Sequence, residues 1–150
     1  MPTAANMSGI DTSKYKVMSK NRFVFSGMQT GRDVCIRISL HMRETRTLMS
    51  PAYTTFELNN DCGVLPEYFF LCFKRPEMDR LGWFYSDSSV RSNLDWPRFE
   101  QIKIPLPPME VQKAVVDLYR CANEAKAIAA EADKASRAIC PALIQKVVRE

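Results

Sequence analysis

A single histidine, His41, stands in 150 residues, so a Ser-His-Asp or Cys-His relay would have to be built around that one ring. It sits beside Arg43 and Arg46 in a stretch that reads as a loop, where a solvated imidazole is the plainer reading. The chain has no G-x-G-x-x-G, no G-x-x-x-x-G-K-[ST] and no H-E-x-x-H. Dinucleotide, nucleoside-triphosphate and zinc-protease chemistry therefore have no motif to rest on. The five cysteines (Cys35, Cys62, Cys72, Cys121, Cys140) are odd in number and form no C-x-x-C pair. That excludes a closely spaced metal site or disulfide framework and points to reduced thiols. No metal or cofactor is expected. The N-terminus "MPTAANMSGIDTSKYK" lacks the basic start and apolar core of a secretion signal. No apolar run approaches the ~20 residues of a membrane span, so the expected location is the cytoplasm, with no membrane partner.

What is present is an ordinary globular composition, 46% apolar and 25% charged, with a formal charge of +4. Such a chain can bury one core, and its mild basicity permits a polyanionic partner without requiring one. From Lys14 to about Leu106 the texture is that of strands and loops: "RFVFSG" (22–27), "DVCIRISL" (33–40), "TTFELN" (54–59) and "FEQIKIPL" (99–106). Each is rich in β-branched or aromatic residues and bounded by Gly, Pro or Asn. In "DVCIRISL", Val34, Ile36 and Ile38 fall on one face and Cys35, Arg37 and Ser39 on the other, the pattern of a half-solvated strand. Tyr68, Leu71 and Cys72 recur at helical spacing before Pro76, which predicts a short buried helix over 66–74. "SDSSVRSNLDW" (86–96) reads as a loop.

Past "IPLPP" the character changes. Between Met109 and Ala138 there is neither Gly nor Pro, and alanine is abundant, a strong helix composition. Val111, Ala114, Leu118, Cys121, Ala125, Ile128, Ala132, Ala135, Ile139 and Ala142 alternate at three and four steps, the spacing of a coiled-coil seam. Pro105, Pro107 and Pro108 stop the preceding strand from pairing further and stiffen its exit. Pro108 and Glu110 suit the first turn of a helix. A helix over 108–140 would be roughly 50 Å long at ~1.5 Å per residue, and is expected to project and pair with a second helix. The plainer alternative is a helix folded back over its own sheet. Pro141 is expected to kink or end it.

Basic and hydrogen-bonding residues gather in the turns: Lys14, Lys16, Lys20 and Arg22; Gln29, Thr30 and Arg32; Arg43 and Arg46; "SPAYTT"; and "SSVRSN" with Arg91. Arg and Gln can bond two acceptors on a base edge, while Lys, Ser and Thr serve phosphates. Solvated arginines in loops are also what any mildly basic surface carries. "SPAY" (50–53) resembles the Ser/Asn/Asp-Pro-Pro-Tyr/Phe signature of adenine-N6 methyltransferases, but lacks the second proline and any glycine-rich cofactor loop before it. A proline-initiated turn presenting Tyr53 is the competing reading.

In order, "KYKVMSKNRFVFSGMQTGRD", "LMSPAYTTFEL", "LPEYFFLCFKRPEMDR" and "SSVRSNLDWPRFEQIKIPLPPMEVQKAVV" resemble the specificity subunit of type I restriction-modification systems. The most specific piece is I-x-I-P-L-P-P-x-x-x-Q, Ile102 to Gln112, and the next is S-P-A-Y-x-x-F. The resemblance implies an α+β fold: a mixed α/β target-recognition globule (1–107) that reads half of a bipartite site on double-stranded DNA, then a long spacer helix (108–150) forming a coiled coil. It also implies a non-catalytic chain that docks methyltransferase and restriction subunits, which carry the chemistry. On this resemblance the chain is expected to hold one recognition module where the family has two, and to begin inside it. It is expected to be a fragment or a short form that restores the symmetry as a homodimer.

Under this reading Arg32, Arg43, Tyr53, Thr54 and Arg91 approach DNA, with Lys14 and Arg22 on phosphates. The helix meets its partner through Val111, Ala114, Leu118, Cys121, Ala125, Ile128, Ala132 and Ile139. Two rivals compete: a coiled-coil interaction module without DNA affinity, and an adenine-N6 methyltransferase remnant built on "SPAY".

Overall fold

A computed structural model describes residues 13–28, 34–87 and 92–147, with side chains placed as far as residue 139. Among these described residues, five short strands come first: β1 (Lys16–Met18), β2 (Phe23–Ser26), β3 (Arg37–Leu40), β4 (Thr47–Met49) and β5 (Thr54–Phe56). Four helices among them follow: α1 (Pro66–Cys72), α2 (Pro76–Tyr85), α3 (Trp96–Glu100) and α4 (Met109–Val147). The fold class is α+β, as expected. The chain divides into two units, Met1–Leu106 and Pro107–Glu150.

In the first unit β2 is the centre of an antiparallel sheet of order β3-β2-β5. Phe23 pairs with Leu40 and Phe56, and Phe25 with Ile38 and Thr54, so these side chains share one face. Aromatic rings cover that face. Phe23 stacks on Phe56 at 4.9 Å, the Phe69 ring of α1 meets Phe23 edge-on at 5.1 Å, and the Phe99 ring of α3 lies 4.3 Å from Phe25. Phe73 and Trp96 close the cluster against Phe99 at 5.2 and 5.3 Å. Each buried ring stabilises by about 1.5–3 kcal/mol through lost apolar surface, and paired rings add about 0.5–1.5 kcal/mol. A second, two-stranded antiparallel sheet joins β1 to β4, with Met18 buried and the facing pair Val17 and Leu48 exposed.

The observed elements differ from the sequence expectation in definite places. The strand expected over 99–106 is absent: Phe99 and Glu100 close α3, and 102–108 has no regular structure. The cause is local, because the Asp95 carboxylate caps α3 by accepting from the Arg98 backbone N–H at 3.0 Å. The strand expected over 33–40 begins only at Arg37, since the Ile36 N–H donates to Asp79 Oδ1 of α2 at 2.9 Å and not to a neighbouring strand. Val34 is accordingly 42% exposed, while Ile36 and Ile38 are buried as the alternation requires. Pro76 ends no structure; it is the first residue of α2, where its missing N–H costs nothing. Helix α2 and strands β1 and β4 lie in stretches to which the sequence assigns no element, and α3 spans the end of the expected 86–96 loop and the start of the expected strand. The short helix expected over 66–74 is α1, with Tyr68 and Cys72 buried.

In the second unit α4 runs for 39 residues. The Pro108 carbonyl accepts from the N–H groups of Val111 and Gln112 at 3.0 and 3.1 Å, which opens the helix. Gln112 Nε2 donates to the Pro107 carbonyl at 2.9 Å. Pro141 does not end the helix, which continues to Val147. An interior proline removes one backbone hydrogen bond and crowds one carbonyl, a cost of about 3 kcal/mol that stays local to one turn.

Candidate nucleic-acid interface

The face of the three-stranded sheet opposite the aromatic cluster carries Val24, Ser26, Arg37, Ser39 and Thr55. Ser39 and Thr55 flank Val24 from the two neighbouring strands, and Arg37 lies across from Ser26. Arg37 and Ser39 are exposed. With Tyr53 and Lys74 this face borders a hollow of about 400 Å³. The Lys74 ammonium sits 4.6 Å from the centroid of the Phe70 ring, a cation–π contact that steadies a flexible side chain at the rim. Two cations, two serine hydroxyls and a phenol offer donors suited to phosphate oxygens or base acceptors.

A second basic group forms where the start of β2 meets the β3–β4 loop. Asn21 N–H donates to the His41 carbonyl at 2.8 Å and His41 N–H to the Arg22 carbonyl at 2.9 Å. These bonds bring Arg22 beside the loop that carries the exposed Arg43 and Arg46. Inside that loop His41 Nε2 donates to the Thr45 carbonyl at 2.9 Å, a structural task for the single histidine. Acids temper the charge: Lys20 pairs with Glu44, and Arg22 Nε with Glu57 Oε2 at 3.3 Å. Such exposed pairs are worth about 0–1 kcal/mol and give way readily to a polyanion.

"SPAY" forms a turn. Tyr53 N–H donates to the Ser50 carbonyl at 3.3 Å, and the Ala52 N–H to Ser50 Oγ at 3.4 Å. Lys16 Nζ donates to the Tyr53 carbonyl at 2.6 Å, which ties this turn to β1. Tyr53 is 40% exposed. Thr54 shares the face of Phe25, and its neighbour Thr55 points to the hydroxyl-bearing face. Lys14 is exposed in the turn before β1. Arg32 and Arg91, with Gln29 and Thr30, lie outside the described residues. Thus the backbone bonds at His41 set Arg22 beside the loop of Arg43, and the sheet brings Tyr53 to one hollow with Arg37 and Lys74. Reading the loops alone overlooked Arg37, Ser39 and Lys74. The alternation in "DVCIRISL" was the available signal for the first two.

Along α4, the seam residues Val111, Ala114, Leu118, Cys121, Ala125, Ile128, Ala132 and Ile139 are all exposed, Leu118 at 73% and Ile128 at 67%. Gln112 and Val116, on another flank of the helix, are buried. Among the described residues no helix is long and apolar enough to cross a membrane, and no group of His, Cys, Asp and Glu side chains could hold a metal ion.

Comparison with curated proteins gives no match. The family model of the type I restriction modification DNA specificity domain matches residues 5–118, a span that holds both sheets, the aromatic cluster, the basic turns and the opening of α4. The chain therefore belongs to the family of type I restriction modification DNA specificity domains.

Proposed function

We propose that the first unit, from residue 1 to about 107, reads one half of a bipartite target on double-stranded DNA. The segment from 108 to 150, which contains α4, is the spacer that pairs with a second helix and sets where methyltransferase and restriction subunits stand on the duplex. The chain carries out no chemistry itself and acts in the cytoplasm, where that DNA is. The observation that carries this reading is the family match over 5–118. It is supported by the donors gathered on the outer sheet face and in the His41–Arg46 loop. Arg43, Arg37, Lys74 and Tyr53 would approach the groove, with Arg32, Arg91 and Thr54 adding contacts from the neighbouring turns. Lys14 and Arg22 would neutralise phosphates. The exposed seam from Val111 to Ile139 supports pairing as a coiled coil.

The test is binding of a labelled random-sequence duplex followed by selection of preferred sequences, with affinity measured across salt. Each phosphate contact contributes roughly −0.9 to the slope of log affinity against log salt. A steep negative slope and a selected half-site are expected. If no duplex binds even at low salt, the first unit is a folded cap on a helical interaction module, and the DNA-reading role falls.

A further inference from the structure

The seam of α4 has two unequal borders. Glu110, Asp117, Glu124 and Glu131 recur every seven residues, each directly preceding a seam residue: Val111, Leu118, Ala125 and Ala132. All four acids are exposed. The other border, one residue past Ala114, Cys121, Ile128 and Ala135, is Val115, Ala122, Ala129 and Ser136, which carry no charge. The basic residues Lys113, Arg120, Lys126 and Lys134 stand one or two residues past the Val111-type seam positions, on the outward side of the helix. Asp117 reaches Arg120 at 3.7 Å, yet its side chain stays 69% exposed, a surface pair of little strength.

Residues bordering a coiled-coil seam meet the borders of the partner and select both its identity and its direction. In an antiparallel pair like borders meet; in a parallel pair unlike borders meet. Two antiparallel copies of α4 would set the acidic row against itself, Glu110 toward Glu131 and Asp117 toward Glu124. Two parallel copies would set it against Val115, Ala122, Ala129 and Ser136. Neither arrangement offers these acids a cation, and the first adds like-charge repulsion.

Resting on the proposed pairing through the seam, we infer that the helix covering it is not a second copy of this chain. It is a helix of different sequence with Lys or Arg once per heptad along the row that faces Glu110, Asp117, Glu124 and Glu131. The apolar seam supplies contact area, and the acidic row supplies the choice of partner.

Two labelled peptides copying residues 109–147 serve as probes of the full chain: one of native sequence, one carrying E110K, D117K, E124K and E131K. Binding is followed by fluorescence anisotropy at low and high salt. At low salt the lysine-bearing peptide should bind at least about tenfold tighter than the native one, a difference of ~1.4 kcal/mol. The preference should shrink as salt screens the charges. A full chain with the same four substitutions should prefer the native peptide instead. Equal binding of both peptides, or tighter binding of the native one, overturns the inference while leaving helix pairing intact. Failure of both peptides to bind removes the pairing itself.

Discussion

The Tyr68 hydroxyl of α1 donates to the Pro105 carbonyl at 3.1 Å, joining two residues 37 positions apart. Proline has no N–H, so this carbonyl is the only polar group it can satisfy. The bond holds the extended "IKIPL" segment to the helix that forms part of the aromatic core. Tyr68→Phe keeps the ring and removes the donor, and should lower stability by about 1 kcal/mol. The measurement is urea unfolding, and an unchanged midpoint would show that water replaces the tyrosine without loss.

Tyr68 also sets a pH response with Cys72. Burial first, and the neighbouring Cys72 second, raise the phenol above its ordinary 10.0. Burial likewise pushes the Cys72 thiol above 9.0. Both groups keep their protons more tightly folded than unfolded, so their stabilisation is whole below the ordinary values. It is lost as pH rises through the raised ones. The unfolding midpoint should therefore fall from about pH 9 upward, and less so in Cys72→Ala, where one titrating group is gone. Parallel curves for the two proteins would remove Cys72 from the account.

Gly27 is pressed against the chain at Leu94. A Cβ there would stand 2.3 Å from the Leu94 carbonyl oxygen and 2.8 Å from Asn93 Oδ1. The Leu94 N–H donates to the Gly27 carbonyl at 2.8 Å, and Met28 bridges Asn93. Gly27→Ala must push these segments apart, at a cost of about 1–3 kcal/mol. Thermal melting should register it. A variant as stable as the parent would mean that the 92–94 segment shifts freely.

Leu118→Glu with Ile128→Glu tests the seam. Both side chains are exposed, so the globule and its melting temperature should hold, with a change within about 0.5 kcal/mol. Binding to a partner helix should be lost, as read by light scattering or pull-down with methyltransferase subunits. Retained binding would assign the seam another use.

Legibility followed how local each cause is. Strands β2 and β5, the short helix α1 and the long α4 came from alternation, composition and proline placement, all written within ten or so neighbouring residues. The polar side of β3 was equally readable in the Arg37 and Ser39 parity. Strands β1 and β4 are three residues each, too short for a period, and exist because they pair with each other. Helix α3 was hidden because "FEQIKI" alternates like a strand. The Asp95 cap and the demand of the core for Phe99 decided otherwise. Among the candidate contacts, sequence chose turns by residue type and so took Thr54 with Thr55, which strand pairing sends to opposite faces.

By itself the sequence determined the composition of the core, the break at the prolines, the heptad seam with its acidic border and the family, because these depend on residue order alone. Tertiary structure decided which polar side chains share a surface. Arg37, Tyr53 and Lys74 are separated along the chain and meet at one hollow only through strand register and the end of α1. Likewise Arg22 comes to lie beside the loop that carries Arg43 through two backbone hydrogen bonds at His41. Contacts between residues distant in sequence arise when burial of the rings selects one register among many, and no local pattern carries that choice.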